Sequence, residues 1–296
     1  MRSNRSGPFA CLACFSSAHQ DLPASRFRMV VWVFVSVLLV MCTITQYRDQ
    51  SSILVTMNRD ELIGRCSEEP PRRFLCGGMI WVAPRAGAAR NTWIGANSCG
   101  AVLALLNPCP KSHSVSDASL SPRLSLIPTL LELGSAGRIV DFLENDFSPR
   151  SMAPFSLLVL SPRSGDLFAW NGGSELARSS LRSGWSLWSS SAQRSQTVAN
   201  WRRDQFYRWK KAGSQFNGLL PSFNLMRVPE RASWSPLMKR PESCTRSITQ
   251  VEVCPDAGWL EMRYWPKPTP ESIEPASVIR IPAADRADCL GNRLFA

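Results

Sequence analysis

The chain has 296 residues, with 44% hydrophobic and only 19% charged side chains, which excludes a disordered chain and leaves one large globular domain or two small ones. Lys and Arg outnumber Asp and Glu by 34 to 23, a net charge of +11 that suits an anionic partner, but no long basic run points to nucleic acid. Only two histidines occur, His19 and His113, so metal centres and imidazole-dependent triads are disfavoured, and no metal or cofactor is expected.

Residues 1–40 differ from the rest and are expected to form an extension outside the core. Met29 to Met41 is an uncharged run of thirteen residues, short for a membrane span but the length of a signal-peptide apolar segment, preceded by Arg26 and Arg28. Two readings stay open. Either Met41 is the true start of a cytoplasmic protein of residues 41–296, or residues 26–41 export or anchor it. The ten cysteines include one CxxC, Cys11 to Cys14, with no second pair to complete a zinc site.

From Cys42 onward, hairpins alternate with helical blocks. Cys42 to Thr45 and Ile53 to Met57 alternate in polarity around a polar turn and read as a first hairpin. Thr92 to Asn97 and Gly100 to Leu106 form a second, and Leu124 to Leu133 and Ala136 to Glu144 carry helical spacing. Phe155 to Leu160 and Leu167 to Trp170 form a third hairpin. Thr197 to Lys211 reads as a basic amphipathic helix, with Val198, Trp201, Gln205 and Trp209 along its apolar side and Arg202, Arg203, Arg208, Lys210 and Lys211 on a solvated face. Ser247 to Val253 and Trp259 to Trp265 form the last hairpin. The class is α+β, with antiparallel sheets carrying helices on their outer faces.

Cys42 opens the first strand directly after a methionine. If it became the N-terminal residue, its own α-amine, of pKa about 8, would serve as base for its thiol, a route to hydrolysis that needs no histidine. The alternative is a small buried core residue. Asn58-Arg59-Asp60-Glu61 closes the second strand, where the hairpin returns four polar groups beside Cys42; a solvated turn with a strand-end salt bridge is the plainer reading.

Met41-Cys42-Thr43-Ile44, Asn58-Arg59-Asp60-Glu61 and Thr92-Trp93-Ile94-Gly95-Ala96-Asn97 together resemble the NRDE family, the relatives of the transport and Golgi organisation 2 protein. Asn107, the Ser183 to Ser190 segment and Thr245-Arg246-Ser247 continue the resemblance in order. It implies a four-layer αββα sandwich of the N-terminal nucleophile (Ntn) hydrolase kind and a cysteine amidohydrolase acting on a small amide. Carried over, Cys42 is nucleophile and base, and Arg59 and Asp60 orient it. Asn107 stabilises the oxyanion, and Arg246 supports a thiolate whose pKa nearby cations lower. Asn58, Trp93, Asn97 and Ser190 are the expected substrate-binding residues. Asn91 and Ser190 depart from the family pattern, standing where Gly and Asn are expected, so a non-catalytic carrier for a haem-like or lipid-like anion is the alternative function. Either way the expected partner is a small molecule, anionic or lipid-like, with membrane association a lesser alternative.

Overall fold

The computed structural model describes residues 42–65, 68–86, 91–106, 123–190 and 196–284, and Cys289. Asn107 and residues 1–41, with the apolar run from Met29 to Met41, lie outside them.

In chain order the strands and helices are β1 (Thr43–Arg48), β2 (Ile53–Leu62), β3 (Glu68–Cys76), β4 (Met79–Ala86), β5 (Ile94–Asn97), β6 (Val102–Leu106), α1 (Leu126–Leu131) and α2 (Ala136–Asn145). There follow β7 (Phe155–Leu160), β8 (Gly165–Trp170), β9 (Ala177–Ser180), β10 (Ser186–Ser189), α3 (Gln196–Lys211), β11 (Phe216–Asn217), β12 (Leu220–Pro221), β13 (Ser243–Cys254), β14 (Trp259–Pro266) and β15 (Ser277–Pro282). All the expected hairpins and helices form. The strands make a six-stranded sheet ordered β10-β1-β2-β13-β14-β15 and a seven-stranded meander from β3 to β9, both antiparallel, with β11 and β12 as a small separate ribbon.

Period-two alternation sends one face of each sheet into a shared core. Ile44, Val55, Met57, Val251 and Met262 of the first sheet pack with Val82, Ile94, Val102, Leu106 and Leu158 of the second, all essentially inaccessible to solvent. The other face of the seven-stranded sheet, with Trp81, Leu103, Leu157 and Phe168, is covered by Ile127, Leu130 and Leu131 of α1 and Ile139 and Leu143 of α2. Gly95 permits close approach of α1: a Cβ there would lie 2.7 Å from Leu131 Cδ1. On the outer side of the six-stranded sheet, Leu220, Leu225 and Leu237 meet Ile248 and Trp265, while α3 packs Phe206 and Trp209 on Phe223. The result is a four-layer αββα sandwich. Among the described residues no helix is long and apolar enough to cross a membrane.

The buried side of α3 differs from the expected one. It presents Val198, Arg202, Phe206 and Trp209, with Trp201 and Gln205 at its margin. Arg203, Arg208, Lys210 and Lys211 are exposed as expected, but Arg202 is wholly buried. A guanidinium can enter a core only where acceptors surround it, and these come from β1, β10, Asp60 and the 234–235 loop.

Candidate active site

The Asn58 to Glu61 tetrad does not form a turn. It lies inside β2, which runs on to Leu62, and all four residues are buried. Thr43 pairs with Asn58, which brings Cys42 to the position beside Arg59 at the start of β1. Alternation along the strand then splits the tetrad: Arg59 and Glu61 face the inter-sheet core, while Asn58 and Asp60 face the outer layer under α3.

Cys42 belongs to the inter-sheet core and is 9% exposed. Its thiol lies 3.9 Å from the backbone carbonyl of Asp60, to which it donates. Burial, joined by the nearby Asp60 charge, pushes the thiol up to about 12, and the Asp60 carbonyl and Arg59 only partly oppose this. In the uncut chain desolvation thus outweighs the nearby cations that are expected to lower the thiol pKa. The carbonyl of Cys42 accepts a hydrogen bond from the Ser190 amide at 3.0 Å, which places Ser190 beside Cys42 through its backbone.

The Asp60 carboxyl is also buried. Its Oδ1 accepts a 2.6 Å hydrogen bond from Thr245 Oγ1, whereas Oδ2 has no hydrogen-bond donor among the described residues and lies 3.8 Å from Arg202 Nη2. Burial raises its pKa to about 7; Arg202, the Thr245 hydroxyl, Arg240 and Arg59 hold it down, in that order.

Arg59 is held by carboxylates. Its Nη1 pairs with Glu68 of β3 and its Nη2 with Glu61 at 3.1 Å, and its guanidinium stacks 4.3 Å over the Trp93 ring. Glu68 also accepts from Tyr264 Oη at 2.9 Å. Trp93 is buried beside Arg59, and its indole N–H has no acceptor among the described residues.

Two of the expected substrate-binding residues are committed to the fold instead. Asn58 Nδ2 donates to the carbonyls of Asn224 and Pro236 while its Oδ1 accepts from Asn224 Nδ2, so the amide pins β2 to the loop beneath it. Asn97 Nδ2 donates to Leu131 and Gly134 carbonyls at the end of α1, and its Oδ1 accepts from the Ala101 amide. In both side chains the two amide N–H groups are used within the fold, and one acceptor position of each Oδ1 is filled.

Arg246 does not turn toward Cys42. A bulge between Thr245 and Ser247 interrupts the β2–β13 register, so Thr245 meets Asp60 and Arg246 Nη1 donates to the carbonyls of Leu62, Ile63 and Arg65. The structure thus gathers Cys42, Arg59, Asp60, Trp93 and Ser190 at one end of the sheets and adds Thr245 and Arg202. Cavities of about 460 and 370 Å³ lie elsewhere, one beside Trp170 and Arg178 and the other beside Cys99 and Ser135. Among the described residues no group of three His, Cys, Asp or Glu is placed to hold a metal ion.

No protein-family model matches the chain, and no curated protein matches it. Solved structures do. One is an N-acylethanolamine-hydrolyzing acid amidase (NAAA) ortholog from Caenorhabditis elegans, at 13% identity and a TM-score of 0.52, with 81% of this chain and 100% of that one covered. Two variants of conjugated bile acid hydrolase from Clostridium perfringens match at TM-scores of 0.46 and 0.43, with 12% and 11% identity. Each covers 81% of this chain, and 92% and 97% of its own length respectively. At 13% identity the likeness to the amidase ortholog speaks to the fold alone, which is Ntn-hydrolase-like.

Proposed function

We propose that the protein is a cysteine amidohydrolase of small acyl amides, with Cys42 as nucleophile once the chain is cut before it. The observation that carries this reading is the Asp60 carboxyl. One oxygen is held by Thr245, while the other is buried 3.8 Å from Arg202 Nη2 without a hydrogen-bond donor among the described residues. A buried carboxylate oxygen left without a donor is costly, and an ammonium at a freed Cys42 is a donor of the right charge. In the uncut chain the thiol is desolvated and protonated at neutral pH, an inert precursor. Cutting would supply the missing base, because the neutral α-amine takes the thiol proton as sulfur attacks the amide carbon, and returns it to the leaving amine. Water then hydrolyses the thioester and releases the acid.

Asn107 is the proposed oxyanion donor and Trp93 the proposed wall of the substrate site, with its indole N–H available to an acceptor. Motif order supports placement in the NRDE family. A disulfide between Cys99 and Cys289 supports the exported alternative over the cytoplasmic one, since cytosolic thiols are kept reduced.

The test is the intact mass of the native protein together with turnover of acyl amides by wild type and Cys42→Ala. A chain beginning at Cys42 that hydrolyses amides, with activity lost in Cys42→Ala, is the expected result. Hydrolysis by a protein with residues still attached before Cys42, or by Cys42→Ala, would overturn it. Ligand retention without turnover in both proteins would favour the carrier.

A further inference from the structure

The reading of α3 as an ordinary basic helix fails at one residue. Arg202 is fully buried, and its guanidinium is fixed by acceptors from three directions. Nε donates to the Trp234 carbonyl at 2.7 Å, and Nη2 to the Ser235 carbonyl at 2.8 Å. Nη1 donates to Thr43 Oγ1 at 2.6 Å and to Ser189 Oγ at 3.0 Å. Thr43 directly follows Cys42, and Ser189 is its cross-strand partner on β10. The same guanidinium lies 3.8 Å from Asp60 Oδ2, the oxygen with no hydrogen-bond donor among the described residues, and both side chains are wholly inaccessible.

An arginine that only glued α3 to the sheet would need the carbonyls and hydroxyls but no carboxylate. Here the charge of Arg202 and that of Asp60 are each buried, and each is the other's nearest compensation. Arginine suits the task because its guanidinium stays protonated where a lysine could shed its proton. Among the described residues the titratable groups that face Asp60 are Arg202 from α3, Arg240 from the loop before β13, Arg59 on its own strand, Cys42 just before β1 and Cys244 on β13. Arg59 is already paired with Glu61 and Glu68.

We infer that Arg202 is a positioning residue that favours the ionised form of Asp60 beneath the start of β1, and through Thr43 and Ser189 fixes the strand end that carries Cys42. It touches neither substrate nor the sulfur. Its action is to hold the negative charge on which an α-amine at Cys42 depends for its basicity. The inference deepens the amidohydrolase reading and rests on it only for the catalytic consequence.

The experiment is a pH titration of protein carrying ¹³C-labelled aspartate, followed by NMR, with Asp60→Asn identifying the Asp60 resonance. In the native protein Asp60 should titrate near neutral pH. In Arg202→Met its midpoint should rise by about 1–3 pH units, the usual effect of losing an adjacent arginine, and in Arg202→Lys it should stay within about one unit. A variant that melts earlier while Asp60 titrates unchanged would show Arg202 to be structural only, and would overturn the inference. Should Arg202→Met fail to fold, stabilities are compared for Arg202→Lys alone and in the Asp60→Asn background. A smaller penalty in that background supports the inference, and equal penalties overturn it. If wild type turns over amides, the acid limb of kcat/KM should move up with the Asp60 midpoint, and a limb that stays put would overturn the catalytic part. If wild type has no turnover, the amidohydrolase reading fails while the titration still decides the role of Arg202.

Discussion

Cys42 and Asp60 meet through opposite faces of one sheet: the thiol lies on the Asp60 backbone carbonyl in the inter-sheet core, while the Asp60 carboxyl turns to the outer layer against Arg202. The Cys42 thiol and the Asp60 carboxyl are thus separated by a strand backbone. A chain continuing upstream of Cys42 has an amide at that residue, and a cut chain has an amine.

This arrangement makes thiol reactivity depend on the cut. With the chain uncut, Cys42 should react with iodoacetamide at pH 8 at least about tenfold more slowly than half-buried Cys254, because only the thiolate is nucleophilic and burial pushes the thiol up to about 12. In protein beginning at Cys42 the order should reverse. Mass-spectrometric peptide mapping reads both rates, and fast labelling of Cys42 in the uncut chain would contradict the site geometry.

Asp60 also leaves a signature in stability. Its carboxyl binds a proton near pH 7 when folded but near 3.8 when unfolded. The folded state therefore binds more protons between these values, and stability falls as pH rises through that window. The contribution is complete below pH 3.8 and gone above 7, with an upper size of about 4 kcal/mol. Urea titrations should show the stability of wild type relative to Asp60→Asn declining from pH 4 to 7 and then levelling. A difference independent of pH would mean that Asp60 is not held in a raised state.

Much of this layout was legible in the residues. The four hairpins follow from alternating apolar runs, and the position of Cys42 beside the tetrad follows from one short turn. What was not legible depends on distant partners. Arg202 reads as a solvated basic residue because the groups that receive it, Thr43, Asp60 and the 234–235 loop, lie far from it in sequence or across a loop. Arg246 looked like the site cation, yet a one-residue bulge puts Thr245 in that place, and no pattern in the string Thr245-Arg246-Ser247 announces a bulge. The strand β3 was hidden by Pro70 and Pro71, tolerated because it is a sheet edge and its register shifts at those residues.

Arg59 should behave as a structural cation. Replacing it with Met strands Glu61 and Glu68 in the inter-sheet core, with Arg65 left for Glu61 and the Tyr264 hydroxyl for Glu68. Breaking one side of a buried pair costs about 3–5 kcal/mol, so Arg59→Met should lower the denaturation midpoint far more than Glu61→Gln does. A loss below about 1 kcal/mol would show that the cluster is solvated in solution.

The last prediction concerns the far end of the same sheets. Cys99, in the turn between β5 and β6, is bonded to Cys289, 190 residues away, and thereby holds Cys289 against the turn whose Asn97 caps the end of α1. A cross-link over so long a loop removes much freedom from the unfolded chain, and losing a native disulfide typically costs 2–5 kcal/mol. For a domain of this size that corresponds to a fall in Tm of at least about 4 °C. Cys289→Ser, or wild type with reductant, should show it, whereas Cys244→Ser with reductant omitted should not, because Cys244 is in no disulfide. Hydrogen exchange should quicken first at the amides of α1 and of the Asn97 turn, since these are what the cross-link braces. Equal Tm values with and without reductant would mean either that the bond does not form in the native protein or that the turn is held by Asn97 alone, and intact mass after alkylation separates the two.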